Sequence, residues 1–275
     1  MIGIVYNDEN KLKMENELSS ILFQMVNNIE LIKSNSDISK YDILITDSSF
    51  NYSSIDKKII LIIDDINQNI CINNKIIAIQ YASLYIKHKI EKINPKLKYY
   101  KNVVINCIPK QKLEIKPKDD QDATIYFHGE DKPENMVNEM FELDTKTYYE
   151  IQFYNNNTKE IPSLKHRLSW NVTTNENLKG IIQYKIIKEI ENGSLPILLK
   201  ENMPEYFFAY PFYVTIDELK DNRLLVKRIK EISSYISKIS KSDFKMLANS
   251  IYNSIYINEN WKVQFYKLCI IIKDK

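Results

Sequence analysis

Glycine is scarce: 4 among 275 residues, where an ordinary protein carries about 7%. Neither G-x-G-x-x-G nor G-x-x-x-x-G-K-[ST] can be written from four scattered glycines, so a dinucleotide fingerprint and a P-loop are excluded. Cysteine is equally sparse. Cys71, Cys107 and Cys269 form no C-x-x-C pair and no cluster with histidine, which argues against a zinc site and against a disulfide framework. They read as small buried hydrophobes of a reducing compartment. Long apolar runs are missing as well: Ile59 to Ile63 is typical of the longest and falls far short of a bilayer span. The N-terminal MIGIVYNDENK has neither the basic n-region nor the h-region of a signal peptide. A cytoplasmic protein without a membrane partner is expected, in the host cytoplasm if the source is viral. Charge of one sign is also lacking, with 38 Lys and Arg against 36 Asp and Glu. Any nucleic-acid affinity must come from the placement of charge.

What is present is enough to fold: 44% hydrophobic and 27% charged residues are the proportions of a globular chain. The length exceeds what one core usually supports, so two domains are expected. Through the first hundred residues, short apolar runs alternate with amphipathic stretches, the pattern of a parallel sheet covered by helices. Strands are expected at Ile2 to Tyr6, Ile29 to Lys33, Asp42 to Thr46, Lys58 to Ile63, Lys75 to Gln80 and Asn102 to Ile108. Helices are expected at Glu15 to Asn27 and Ala82 to Ile93. The stretch Ile108 to Asp122, with two prolines and four lysines, reads as an exposed linker.

Beyond it the alternation restarts. Strands are expected at Ala123 to Phe127, Tyr148 to Tyr154, Leu195 to Leu199 and Phe212 to Val214. The segment from Tyr154 to Asn177 reads as polar and irregular. Helices are expected at Pro133 to Phe141, at Ile181 to Glu191 with a stop at Asn192 and Gly193, and at Ile216 to Ile239, Ser242 to Tyr256 and Asn260 to Ile272. The domains are then 1–112, 113–258 and a closing helix at 259–275 that packs back toward the first domain. The fold class is α/β: two Rossmann-like domains facing across a cleft, with ligands beyond the carboxyl ends of the strands.

Several stretches carry a resemblance. NLKGIIQYKIIKEIENGSLPILLKEN (Asn177 to Asn202) with FYVTIDEL (Phe212 to Leu219) resembles the donor half of GT-B glycosyltransferases. YDILITDSSFNYSS (Tyr41 to Ser54), IILIIDDIN (Ile59 to Asn67), ATIYFHGEDKPENMVNEMF (Ala123 to Phe141) and NWKVQFYKL (Asn260 to Leu268) extend it, in the right order, to the DNA β-glucosyltransferases of T-even phages. The donor segment is also similar to that of α-1,3-fucosyltransferases, through Lys185, Gly193, Pro196 and Ile197. The resemblance implies an inverting transfer of glucose from a UDP-sugar to a hydroxymethylated base in duplex DNA. The fucosyltransferase likeness implies instead a GDP-sugar and a glycan acceptor. A third reading is a GT-B domain that binds nucleotide or DNA without catalysis.

Inverting transfer needs a base for the acceptor hydroxyl and positive charge for the departing diphosphate. Asp64 and Asp65 end an apolar run, and only one of the two can face the cleft. The match to the family favours Asp65, with Asp47 as the alternative base and Glu17 at an acidic position near the sugar. On the donor side it implies Lys185 on a phosphate, the loop of His128, Gly129 and Lys132 near the diphosphate, and Lys188 or Glu189 on the ribose. Arg167, in the cluster Lys165, His166 and Arg167, is a further donor candidate. The family's phosphate loop is longer and carries two arginines that this chain lacks. A divalent cation, Mg2+ or Mn2+, is compatible with a diphosphate, but no ligand set for it can be named. For duplex DNA, Tyr52, Lys57, Lys58, Lys87, Lys89, Lys92, Lys96 and Lys98 offer cations interleaved with an aromatic.

Overall fold

The computed structural model describes residues 1–6, 29–104, 113–128, 151–154, 161–207, 209–259 and 266. The helices expected at Glu15 to Asn27, Pro133 to Phe141 and Asn260 to Ile272 lie outside them, Tyr266 excepted, as do the candidates Glu17, Gly129 and Lys132. The chain divides into two compact units, Met1–Lys110 with Glu259–Lys275, and Gln111–Asn258.

The first unit is built on a six-stranded, wholly parallel sheet. Its strands are β1 (Ile2–Tyr6), β2 (Ile29–Lys33), β3 (Ile43–Thr46), β4 (Lys58–Ile63), β5 (Ile76–Tyr81) and β6 (Lys101–Val104), in the order β2-β1-β3-β4-β5-β6. Central strands buried on both faces need near-continuous apolar sequence: Ile59, Ile60, Leu61 and Ile63 of β4 are all fully buried. After β5, Ser83 accepts a hydrogen bond from the Ile86 amide and starts α1 (Leu84–Ile93), which a 3-10 turn (Pro95–Tyr99) follows. α1 turns Ile86 and Ile90 into the core.

The second unit repeats the scheme with five parallel strands: β7 (Asp122–His128), β8 (Ile151–Tyr154), β9 (His166–Trp170), β10 (Leu195–Leu199) and β11 (Tyr213–Val214), in the order β11-β10-β9-β7-β8. In both sheets the first strand is internal, the second lies at the edge beside it, and the third and later strands build outward on the other side. α2 (Tyr184–Glu191) leads to β10, and α3 (Ile216–Lys220), α4 (Asn222–Lys238) and α5 (Lys241–Glu259) follow β11.

Four expectations need correction. Cys71, expected to be buried, is exposed. The supposedly irregular polar stretch contains β9, which pairs with both β7 and β10 and is central to the sheet. The single helix expected over Ile216 to Ile239 is two, because Asp221 leaves the helix and its carboxylate caps the Arg223 and Leu224 amides of α4. The linker is docked rather than exposed at its middle: Ile115 is buried, and Asn249 of α5 clamps its backbone, accepting from the amide at 2.7 Å and donating to the carbonyl at 2.8 Å. The α2 stop is as expected. The Ser194 amide bonds to the Glu189 carbonyl and the Gly193 amide to the Ile190 carbonyl, a Schellman closure with Gly193 at φ 89°.

Candidate functional site

In a sheet wound this way, the polar crevice lies where strand order reverses, beyond the carboxyl ends. In the first unit that point is between β1 and β3. The loop after β1 is outside the described residues, but those after β2, β3 and β4 are not. Asp47, which follows β3, is buried; its Oδ1 accepts from the Ser49 amide at 2.8 Å and from the Ser49 hydroxyl. This is an Asx-turn, a structural use of the carboxylate. Asp65 follows β4 and is half-buried. Its Oδ1 accepts from the Asn67 amide at 2.7 Å, while Gln68 ties the turn down by bonding the Asp64 amide and the Ile62 carbonyl. Of these two candidates Asp65 is the more open. Between the loops after β2 and β3 lies an open hollow of about 480 Å³, whose lining includes Ser34, Ser36, Ser49, Asn51 and Ser54 beside Phe50. It is rich in hydroxyls, and no lysine is among its described lining residues.

In the second unit the reversal falls between β7 and β9. β7 ends at His128, and the loop beyond it is not described. β9 ends at Trp170, half-buried and stacked on Phe127 with ring centroids 4.9 Å apart. The chain then crosses to α2 through Asn171 to Gln183. That crossing is fastened to the end of β10 by Gly180 N–H to the Asn202 carbonyl (2.8 Å) and by Asn202 Nδ2 to the Thr173 carbonyl (2.7 Å). The cavity beneath, edged by Asn171, Gln183 and Asn202, is about 20 Å³, room for a single water.

α2 starts at this carboxyl edge. Gln183 makes no side-chain capping bond, and the helix dipole at this end favours an anion. Lys185 stands in this first turn, exposed, with no ion pair among the described residues. The other donor candidates are placed differently. Lys188 is exposed and pairs with Glu191. Glu189 is buried, and its Oε2 accepts from Ser169 Oγ at 2.8 Å and Asn171 Nδ2 at 2.6 Å. Burial, together with the charge and hydrogen bonding of Glu189, pushes the Tyr126 phenol up, so that phenol remains a donor to the same carboxylate. Glu189 is thus an interior hub joining α2 to β7 and β9, and the ribose role expected of it finds no support in this placement. Arg167 lies near the amino end of β9, its guanidinium over the Phe244 ring at 5.1 Å and bonded to the Ile236 carbonyl. It packs α4 and α5 and is remote from the carboxyl edge.

The sequence reading missed one polar cluster. His166, buried, bonds through Nδ1 to Asp122 Oδ1 and through Nε2 to the Tyr154 hydroxyl, both at 2.7 Å. Burial raises the Asp122 carboxyl, but the His166 bond, the Thr124 amide and the His166 charge outweigh it and hold the group below its ordinary value. The only signal was an alternation of His166, Leu168 and Trp170 with Arg167 and Ser169. Among the described residues no group of three His, Cys, Asp or Glu is placed to hold a metal ion.

No family model and no curated protein matches the chain. Solved structures do. A glycosyltransferase from Rickettsia africae ESF-5 aligns with TM-score 0.60 and 12% identity over 100% of this chain and 99% of that one. The T4 phage β-glucosyltransferase with its UDP-glucose substrate aligns with TM-score 0.57 and 14% identity over 94% and 96%. An α1,3-fucosyltransferase aligns with TM-score 0.52 and 13% identity over 99% and 89%. At such identities the likeness is one of fold: two Rossmann-like α/β units of the GT-B type.

Proposed function

We propose that the protein is a nucleotide-sugar-dependent glycosyltransferase whose donor is held by the second unit and whose acceptor is held by the first. The observation that carries this is the repeated winding. Each sheet has its own reversal point, one beside the uncapped start of α2 with Lys185, the other beside a hydroxyl-lined hollow, with Asp65 following the next strand, β4, on the same edge. One crevice is suited to an anion and the other to a neutral hydroxylated group.

In this reading Asp65 accepts the proton of an acceptor hydroxyl as its oxygen attacks the sugar's anomeric carbon. The bond from that carbon to the diphosphate breaks with inversion, and the nucleoside diphosphate leaves with the bonding electron pair. Charge grows on the leaving group, where Lys185 and the first N–H groups of α2 stabilise it. Trp170, at the end of β9, offers an aromatic face beside the same crevice.

For the finer assignment, the sequence resemblance and the fold shared with the T4 enzyme support UDP-glucose as donor and a hydroxymethylated base in duplex DNA as acceptor. A second reading, transfer to a glycan or other small acceptor, is favoured by the hollow itself, which has serines and an asparagine but no lysine among its described lining residues. The test is a turnover assay with UDP-glucose and GDP-fucose, each offered hydroxymethylated duplex DNA and an oligosaccharide mixture. Release of nucleoside diphosphate that depends on one acceptor is expected. Saturable binding without turnover for any pair would leave the non-catalytic reading in its place.

A further inference from the structure

The lysines that suggested a DNA surface do not gather at the carboxyl edge of the first sheet. Apart from Lys57 and Lys58, at the amino end of β4, they run down α1 and the turn after it. Between Leu84 and Lys101 stand Lys87, Lys89, Lys92, Lys96, Lys98, Lys101 and His88. The sole acid of the stretch, Glu91, is buried, so the outward face carries cations alone, in a chain whose charges otherwise nearly cancel. Lys87, Lys89, Lys92, Lys96 and Lys98 make no ion pair among the described residues. α1 starts beyond the carboxyl end of β5, and its 3-10 extension delivers the chain to the amino end of β6. Lys92 to Lys101 therefore lie toward the edge opposite the proposed reaction site.

Two large apolar side chains stand among these cations at the same end. Ile93 is 73% exposed and Tyr99 is 90% exposed. The inward face of the segment is already used, with Ile86, Ile90 and Leu97 in the core. A phosphodiester backbone would satisfy the lysines and leave Ile93 and Tyr99 nothing to bury. A bilayer rich in anionic headgroups satisfies both: lysines draw the protein to the surface, and an aromatic and an aliphatic tip enter the interfacial layer. Adsorption of this kind needs no spanning helix, and none of the described helices is long and apolar enough to span.

We propose that the outer face of α1 and its following turn, Lys87 to Lys101, docks the protein on an anionic lipid surface. The inference is independent of which hydroxyl receives the sugar. The test is sedimentation of the intact chain with vesicles of phosphatidylglycerol and phosphatidylcholine in a one-to-two ratio, against phosphatidylcholine alone, at low and high salt. The wild type is expected to sediment with the mixed vesicles only, and less at high salt. Lys92→Gln, Lys96→Gln and Lys98→Gln together should lower partitioning about 100-fold, at roughly fivefold per lysine. Ile93→Ser with Tyr99→Ser should lower it roughly tenfold or more. Both variants change exposed side chains and should melt as the wild type does. Lys220→Gln, Lys227→Gln and Lys238→Gln, on α3 and α4, should leave partitioning unaltered. The proposal is overturned if the wild type ignores mixed vesicles, or if the control triple loses as much as the α1 triple. It is equally overturned if the α1 triple keeps its vesicle binding while losing a gel shift with duplex DNA, which would assign the face to nucleic acid.

Discussion

Replacing Glu189 separates two roles that its position in the sequence cannot. Its side chain sits inside the second unit, where it accepts from Ser169 Oγ at 2.8 Å and Asn171 Nδ2 at 2.6 Å, with the Tyr126 phenol as a further donor. Glu189→Ala removes the acceptor and strands the Ser169 and Tyr126 hydroxyls, while Asn171 Nδ2 keeps its bond to Ser169 Oγ at 2.9 Å. Leaving a buried donor unsatisfied costs about 1–3 kcal/mol. Ser169 bears this in full because it is fully buried, whereas half-buried Asn171 recovers its lost bond from water. With Tyr126 also affected, the loss comes to about 3 kcal/mol, a fall in melting temperature of roughly 10 °C for a domain of this size. Glu189→Gln keeps an acceptor oxygen and should lose less than half as much. The assay is thermal denaturation followed by circular dichroism, paired with UDP titration well below the melt. UDP affinity should change by no more than a few fold. A Glu189→Ala protein with wild-type stability and abolished UDP binding would refute the argument and return this carboxylate to the ribose.

Other consequences can be checked in the same way. Gly193→Ala places a methyl group 2.7 Å from Pro117 Cα at a φ of 89°. The left-handed conformation and the displaced backbone together should cost about 3 kcal/mol, read as a lower denaturant midpoint. Asp122→Asn removes a carboxylate held below its ordinary value, and such a group stabilises the fold above that value and ceases to as pH falls through its folded one. The melting-temperature gap between wild type and Asp122→Asn should therefore be widest near neutrality and close below the ordinary aspartate value of 3.8; a gap that widens in acid would contradict this. Lys185→Ala should raise the UDP dissociation constant roughly 10- to 100-fold by calorimetry, and an unaltered constant would remove Lys185 from the donor site.

How much of this was legible depended on where each element's partners lie in the sequence. β4 announced itself because a strand buried on both faces is written almost wholly in isoleucine and leucine. β9 was invisible for the converse reason. Leu168 is its only aliphatic residue, and His166 is buried by virtue of Asp122 and Tyr154, 44 and 12 positions away. The Gly193 stop was readable because a Schellman turn is local, whereas the start of α2 was expected three residues early, at Ile181 instead of Tyr184. Glu189 could not be judged from its neighbours, since the donors that bury it come from β7 and from the end of β9. The linker misled for the same reason: its polar composition is solvated on one side, while Asn249, 134 residues from Ile115, clamps the other.

The central claim is sugar transfer from a nucleotide donor with Asp65 as base, and one comparison tests it most directly: nucleoside diphosphate release by wild type and by Asp65→Asn, with UDP affinity measured alongside. Acceptor-dependent release is expected from the wild type, with a fall of about 100-fold or more in the variant and UDP affinity unchanged within a few fold. Equal turnover by the two proteins, or no release from any sugar nucleotide by either, would contradict it.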